Sequence, residues 1–428
     1  MSAINKEKHN KKYNISAIIK GMMGNIFEWF QFSIFGFFAS QIGQTFFPQG
    51  GNDSTLFAYG TFFAGYLARP IGGLIFGYIS DKYGRKQVIV WTLLLMAVPS
   101  FLIGILPSHE QIGISSSVLL IILRIIQGIS MGGNYGGSLT YIFEQSLPHK
   151  KGFLSSLSFL GVLIGLFLGS TTATLLEVFS NPHFMHHYGF RLPFLCGIFA
   201  LILGLFFRKN LPESEEFRQE KAKAETKTSS SCRLSLHKNT IINLVCVVIL
   251  HDLSFYILFV YMMSFYTDNL GFSKSKIFAM NSFHMILVAI AVLISAWYSD
   301  TVGRIKVMKI SALAFLLTTI PIFYFITETQ SFLTVFILQT LFAIMAGVFS
   351  GPLPALMSEV FPMKIRNTGI NIAGSISGPV FGGSAPLVLS FLVMYTGSKI
   401  APGIYITLAA IVTFAALHFT HINIEEKK

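Results

Sequence analysis

Charge is scarce in this sequence. Of 428 residues, 12% are Asp, Glu, Lys or Arg and 53% are hydrophobic, whereas a soluble domain carries about 25% charged residues. So little charge cannot coat a water-facing surface on a chain this long, which excludes an ordinary soluble enzyme. Cysteine is scarce too. Cys196, Cys232 and Cys246 are odd in number and far apart, so no disulfide framework or cysteine metal site is expected. There is no Walker or dinucleotide fingerprint, no H-E-x-x-H element and no nucleophile–base cluster. ATP-driven pumping, cofactor chemistry and membrane-embedded hydrolysis therefore lack support, and no cofactor is implied.

What the sequence has in abundance is long apolar runs. They predict helices at about 18–44, 55–79, 88–106, 116–143, 153–178, 191–208, 241–267, 276–298, 307–326, 332–360, 369–396 and 402–421. Most reach the roughly 20 residues that one bilayer crossing needs. Backbone groups in lipid must satisfy one another, so these runs are helices and the lipid bilayer is the first partner. The expected class is an all-α membrane protein with twelve transmembrane helices. The first run is too long for a secretory h-region, contains Glu28 and lacks a cleavage site, so it reads as a retained helix.

The net charge of +12 invites a nucleic-acid reading, but position argues otherwise. Lysines and arginines gather in the N-terminus, in alternate loops (Lys82, Arg85, Lys86; Lys150, Lys151; Arg304, Lys306, Lys309; Lys364, Arg366), in the middle loop and at the C-terminus. The other loops hold Lys274, Lys276 and Lys399, with Arg191 at a helix start. This asymmetry predicts that both termini face the cytoplasm. No clustered basic domain suggests nucleic acid, and no obligate protein partner is evident. His183, His186 and His187 share an outward loop but lack a persuasive metal-ligand set.

The single long charged stretch divides the chain. The expected organisation is a cytoplasmic N-terminus (1–17), a six-helix bundle (18–208), a cytoplasmic linker (209–240), a second six-helix bundle (241–421) and a short C-terminus (422–428). The halves echo each other. Asp81, Gly84 and Arg85 recur as Asp300, Gly303 and Arg304 at one constant offset (300 − 81, 303 − 84, 304 − 85). Glu144 and Pro148 likewise precede Lys150-Lys151-Gly152, as Glu359 and Pro362 precede Lys364-Ile365-Arg366. Duplicated membrane halves typify transporters that rock about a central site. In these loops Asp can cap a helix, Gly permits a tight turn and Arg can pair with a carboxylate, which suits a gate.

The loop Gly77-Tyr-Ile-Ser-Asp81-Lys-Tyr-Gly84-Arg85-Lys86 resembles the signature between helices two and three of the major facilitator superfamily. That resemblance implies two pseudo-symmetric six-helix bundles, the major facilitator fold. A narrower set is similar to the metabolite:proton symporters: Gly24-Asn25 through Glu28-Trp29 to Gln31, Arg69-Pro70, Arg124-Ile-Ile-Gln127-Gly128, Gly189-Phe-Arg191-Leu-Pro193, Leu211-Pro212-Glu213-Ser214, and Gly382-Gly383-Ser384-Ala385-Pro386. That group includes carriers similar to shikimate, α-ketoglutarate, citrate and proline/betaine permeases, and it couples uptake to a proton gradient. The group usually has Asp at the position of Gln31 and Tyr at that of Phe35.

Ionisable residues inside spans are costly and are functional candidates by default. Glu28, Asp252 and His251 are the candidates for proton coupling. Arg124, Arg69, Gln31, Trp29 and Tyr256 are those for substrate binding. Asp81, Gly84, Arg85, Glu144, Asp300, Gly303, Arg304 and Glu359 are those for gating. His284 is a further buried histidine, whereas Asp268 and Glu177 lie near span ends. The expected function is secondary transport of a small organic acid or zwitterion across the cytoplasmic (inner) membrane by alternating access, with the proton as coupling ion. The alternatives are an exporter of the same superfamily and a transporter-like sensor. The exporter is weakened because the fifth helix lacks the Gly-Pro motif typical of such proteins; Gln31 keeps the sensor open.

Overall fold

The computed structural model describes residues 15–48, 52–226, 234–329 and 331–420. Lys6, Lys8, Lys11, Lys12, Cys232, Lys427 and Lys428 lie outside them, as do the side chains of Asp268, His186 and His187.

Twelve helical spans follow one another. α1 comprises Ile15–Phe37 and Ala39–Phe46, α2 Asn52–Tyr83, α3 Arg85–Ile105, α4 Ile114–Gln145, α5 Lys151–Phe179, and α6 Leu192–Leu195 with Gly197–Asn210. α7 is Lys238–Tyr256 continued through Met262–Asp268, α8 is Lys274–Val302 and α9 is Arg304–Glu328. α10 comprises Phe332–Ser350 and Leu353–Glu359, α11 Arg366–Ser377 and Ala385–Thr396, and α12 Ala401–Phe419. Eleven of these segments are long and apolar enough to cross a membrane. The twelfth is α1, whose run is interrupted by Lys20, Asn25, Glu28 and Gln31. The described residues contain no strand.

Breaks fall where the sequence is rich in Gly and Pro. α10 is interrupted at Gly351-Pro352, because Pro lacks the N–H that would continue the ladder. α7 widens into a π-helical turn at Ile257–Tyr261, and α11 does so at Gly378–Gly383. Such turns concentrate at functional positions. Glycine lets α2 and α4 meet backbone to backbone. A side chain at Gly128 would collide with the Gly65 carbonyl, and one at Gly132 with that of Arg69. On α5, a Cβ at Gly165 would lie 2.5 Å from the Ile26 carbonyl of α1. Small residues at such crossings replace the hydrophobic drive that lipid does not supply.

Helices α1–α6 pack together, as do α7–α12, and the extensive contacts between the two groups are unevenly placed. They join α2 and α4 to α11, α5 to α8, and α4 and α5 to the second half of α10. All these lie on the side that carries the linker, here the linker face, or at mid-depth. The linker itself forms a helix at Glu215–Thr226.

Candidate functional site

At mid-depth between the bundles lies a small cavity of about 70 Å3. Its polar walls are Arg69 from α2, Tyr135 from α4, and His251, Asp252 and Tyr256 from α7, with Trp29 from α1. Phe159, Val162, Phe255 and Met357 supply apolar wall, and Gly374 and Gly378 of α11 complete it. Ligand pockets typically measure about 300–1,000 Å3, so this one is closed down around its centre. α11 can approach because it is glycine there: a Cβ at Gly382 would come within 2.7 Å of the Tyr256 ring.

Arg69 is the hub. It is the charged neighbour of both Glu28 on α1 and Asp252 on α7, yet it forms no ion pair within 4.0 Å among the described residues. Its guanidinium lies over the Tyr66 ring at 5.0 Å. Glu28 is buried, has Asn134 as a polar neighbour, and does not line the cavity. Several buried polar atoms here find no partner at hydrogen-bonding geometry among the described residues: both Glu28 carboxylate oxygens, Asp252 Oδ2, Arg69 Nε, Trp29 Nε1 and Tyr66 Oη. Buried polar atoms are normally satisfied; of these residues Asp252, Arg69 and Trp29 line the cavity, whereas Glu28 and Tyr66 do not.

His251 is held differently. Ser350 Oγ donates its proton to the Ala346 carbonyl at 2.7 Å and lies 2.8 Å from His251 Nδ1. With the hydroxyl proton on that carbonyl, Ser350 Oγ accepts from Nδ1, and turned to His251 it donates instead, so the tautomer of a neutral His251 follows the rotamer of the hydroxyl. Its ring also meets Phe159 of the other bundle edge-on at 4.8 Å.

Two expected partners lie elsewhere. Arg124 does not line the cavity. It is buried inside the first bundle, 4.9, 4.3 and 4.8 Å from the rings of Phe32, Phe35 and Phe62. Its Nη1 donates to Gln127 Oε1 at 2.9 Å, and Gln127 in turn donates to Ser100 Oγ. Its Nε and Nη2 find no partner among the described residues. Gln31 is fully buried and donates to the Pro193 carbonyl of α6 at 3.3 Å. His284 bonds Thr340 at 3.0 Å, away from the cavity.

The gating candidates meet on the linker face in two matching clusters. Asp81 accepts from the Asn367 and Thr368 amides at 3.1 and 2.8 Å and from Thr368 Oγ1 at 2.7 Å. Asp300 accepts from the Gly152 and Phe153 amides at 2.8 and 2.9 Å. Each carboxylate thus caps the first turn of a helix in the opposite bundle, satisfying amides that a helix start leaves open. Arg85 pairs with Glu144 at 3.0 Å and Arg304 with Glu359 at 3.4 Å. Gly84 and Gly303 turn the chain with φ of 114° and 103°, a region that side chains disfavour.

The clusters are not identical. Glu144 also takes Arg366 from the second bundle at 3.2 Å and Ser214 of the linker at 2.5 Å. Glu213 beside it accepts from the Arg85 amide at 3.0 Å. Burial pushes the Glu213 carboxyl above its ordinary value, against the Ser214, Lys86 and Arg85 amides that pull it down. The linker is thereby tied to this cluster. Sequence reasoning does not find Glu213, Ser214 and Arg366 as members of the first cluster, nor Phe159 and Phe255 as cavity walls.

Comparisons with known proteins agree with this architecture. The family described as "Sugar (and other) transporter" matches residues 17–239, and that described as "Major Facilitator Superfamily" matches 244–428. A protein of Staphylococcus aureus (strain MSSA476) named for proline/betaine transport is 30% identical over 427 residues, covering 98% of this chain and 91% of the relative. The citrate-proton symporter of Klebsiella pneumoniae is 30% identical over 406 residues, covering 93% and 89%. Among solved structures, the proton:xylose symporter XylE bound to 6-bromo-6-deoxy-D-glucose superposes with a TM-score of 0.76 at 17% identity, covering 96% of both chains. At that identity the likeness establishes the fold, and the relatives supply the rest: the chain belongs to the major facilitator superfamily of secondary transporters, and within it to the metabolite:proton symporter family.

Proposed function

We propose that this secondary transporter is a proton-coupled importer of a small organic acid or zwitterion in the cytoplasmic membrane, with its linker face and both termini in the cytoplasm. The observation that carries this reading is the placement of Arg69 between Glu28 of one bundle and Asp252 of the other, beside a closed central cavity. A cation between two carboxylates can lean to either. Protonating one carboxylate frees Arg69 for the other or for a substrate carboxylate, which Arg can hold bidentately. Because Glu28 and Asp252 belong to different bundles, that choice biases how the bundles rock.

In this reading Trp29, Tyr256 and Arg69 contact the substrate, and Glu28 and Asp252 exchange the proton, with His251 as a polar neighbour. Arg124 and Gln31 act from within the first bundle. The Asp81–Arg85–Glu144 and Asp300–Arg304–Glu359 clusters hold the cytoplasmic side shut. The test is uptake into proteoliposomes of α-ketoglutarate, citrate, shikimate, proline and glycine betaine, with and without an imposed inward proton gradient. Gradient-stimulated uptake of one compound supports symport. Uptake indifferent to the gradient removes the coupling, and no uptake of any compound favours a sensor. Glu28→Gln is expected to spare substrate exchange and abolish gradient-driven accumulation.

A further inference from the structure

The transport reading leaves the cargo open between organic acids and zwitterions. The charges and unpaired atoms of the cavity narrow it. Among the described residues Arg69 is the one arginine or lysine on the cavity wall, and Glu28 and Asp252 are its charged neighbours. Arg124, the other deep cation, is enclosed by Phe32, Phe35 and Phe62 and does not reach the wall. A dicarboxylate or tricarboxylate would bring two or three negative charges to a wall whose single cation already faces the Asp252 carboxylate, at short range and out of water. A zwitterion brings none in net, and its two ends match what is orphaned. Arg69 Nε and Trp29 Nε1 are unused donors, and Asp252 Oδ2 is an unused acceptor.

The acceptor decides more. A buried carboxylate oxygen needs a hydrogen to accept, and a fully methylated nitrogen has none to give. Nor do the rings stand apart as the walls of a cage. Trp29 meets Phe32 and Phe255 edge-to-face at 5.6 and 6.2 Å, and Tyr256 meets Phe255 and Tyr66 likewise at 5.7 and 6.4 Å. Resting on the reading of this cavity as the transport site, we infer that the cargo is a small amino or imino acid bearing N–H groups, with Arg69 receiving its carboxylate and Asp252 its ammonium. Asp252 is then the residue that sets specificity.

Matched pairs test this. Proteoliposome uptake of glycine, alanine and proline is compared with that of their fully N-methylated forms, with citrate and α-ketoglutarate alongside. At least one N–H-bearing member is expected to be taken up tenfold or more faster than its methylated twin, with no uptake of the di- and tricarboxylate. Asp252→Asn is expected to collapse that ratio, and Asp252→Glu to retain it. Equal uptake within every pair overturns the inference, as does an Asp252→Asn protein that keeps the wild-type ratio. Uptake of citrate or α-ketoglutarate without any zwitterion overturns it while leaving the transport reading intact. Uptake of nothing overturns both. If Asp252→Asn fails to insert, or inserts and takes up nothing because the proton exchange is lost, the wild-type ratio alone decides.

Discussion

Removing the Asp81 carboxylate is the sharpest probe of the proposed gate. Asp81 receives three hydrogen bonds from the start of α11, at 2.7–3.1 Å, and all three cross between bundles. A hydrogen bond to a charged group contributes about 1.5–3 kcal/mol net, and a charge at a helix start adds about 0.3–1 kcal/mol. The three bonds share one carboxylate and are not additive, and the freed amides regain water on opening. A net loss of about 3 kcal/mol for Asp81→Ala is therefore a reasonable expectation, close to a hundredfold shift in the equilibrium between closed and open linker faces. A face open 1% of the time would become open about half the time. Spin labels at Lys150 and Lys306, both exposed and one in each bundle, would report it by distance measurement in a protein with Cys196, Cys232 and Cys246 replaced by serine. The wild type should give mainly the short distance and Asp81→Ala a second, longer population. A distribution unchanged by Asp81→Ala would refute the view that these bonds hold the face shut.

Asp300→Ala should shift the same distribution in the same direction, because it uncaps α5 as Asp81→Ala uncaps α11, and the double variant should exceed either alone. Glu144→Gln should lower thermal stability in detergent, since it removes the carboxylate that Arg85 and Arg366 share and leaves Arg85 with Asp81 at 3.6 Å, a change of up to about 3–5 kcal/mol for a broken buried pair; an unaltered melting temperature would count against the pairing. Gly128→Leu should destabilise by at least about 1–3 kcal/mol through overpacking, because a side chain there meets the α2 backbone; a melting temperature at or above wild type would mean that α2 and α4 can part cheaply.

The sequence carried the spans and the linker-face clusters further than it carried the cavity. Asp81, Gly84 and Arg85 repeat at one offset in the second half, and that periodicity led directly to the paired clusters. The rotation of helices is another matter. Arg69 and Arg124 both lie deep in their spans, yet one lines the cavity and the other is enclosed by phenylalanines. Depth follows from counting residues along a helix, but facing depends on neighbours, and in a membrane both the core and the lipid side are apolar. Phe159 and Phe255 were hidden for the same reason: a ring on an apolar helix has no periodic signature of a cavity wall. The Ser214–Glu144 bond joins residues 70 apart and belongs to no local pattern. Gln31 is a position where the family expectation and the local chemistry differ, and its amide is used on the Pro193 carbonyl.

The swapped caps also give the molecule its own clock for opening. In the closed arrangement the amides of Gly152, Phe153, Asn367 and Thr368 are each bonded to a carboxylate of the other bundle. No helical partner replaces that bond when the bundles part, because first-turn amides have none. Their exchange with deuterated water therefore tracks the fraction of time the face is open, without any label. α5 and α11 are read separately, so the same four amides distinguish bundles that move as rigid bodies from a gate that frays one side at a time.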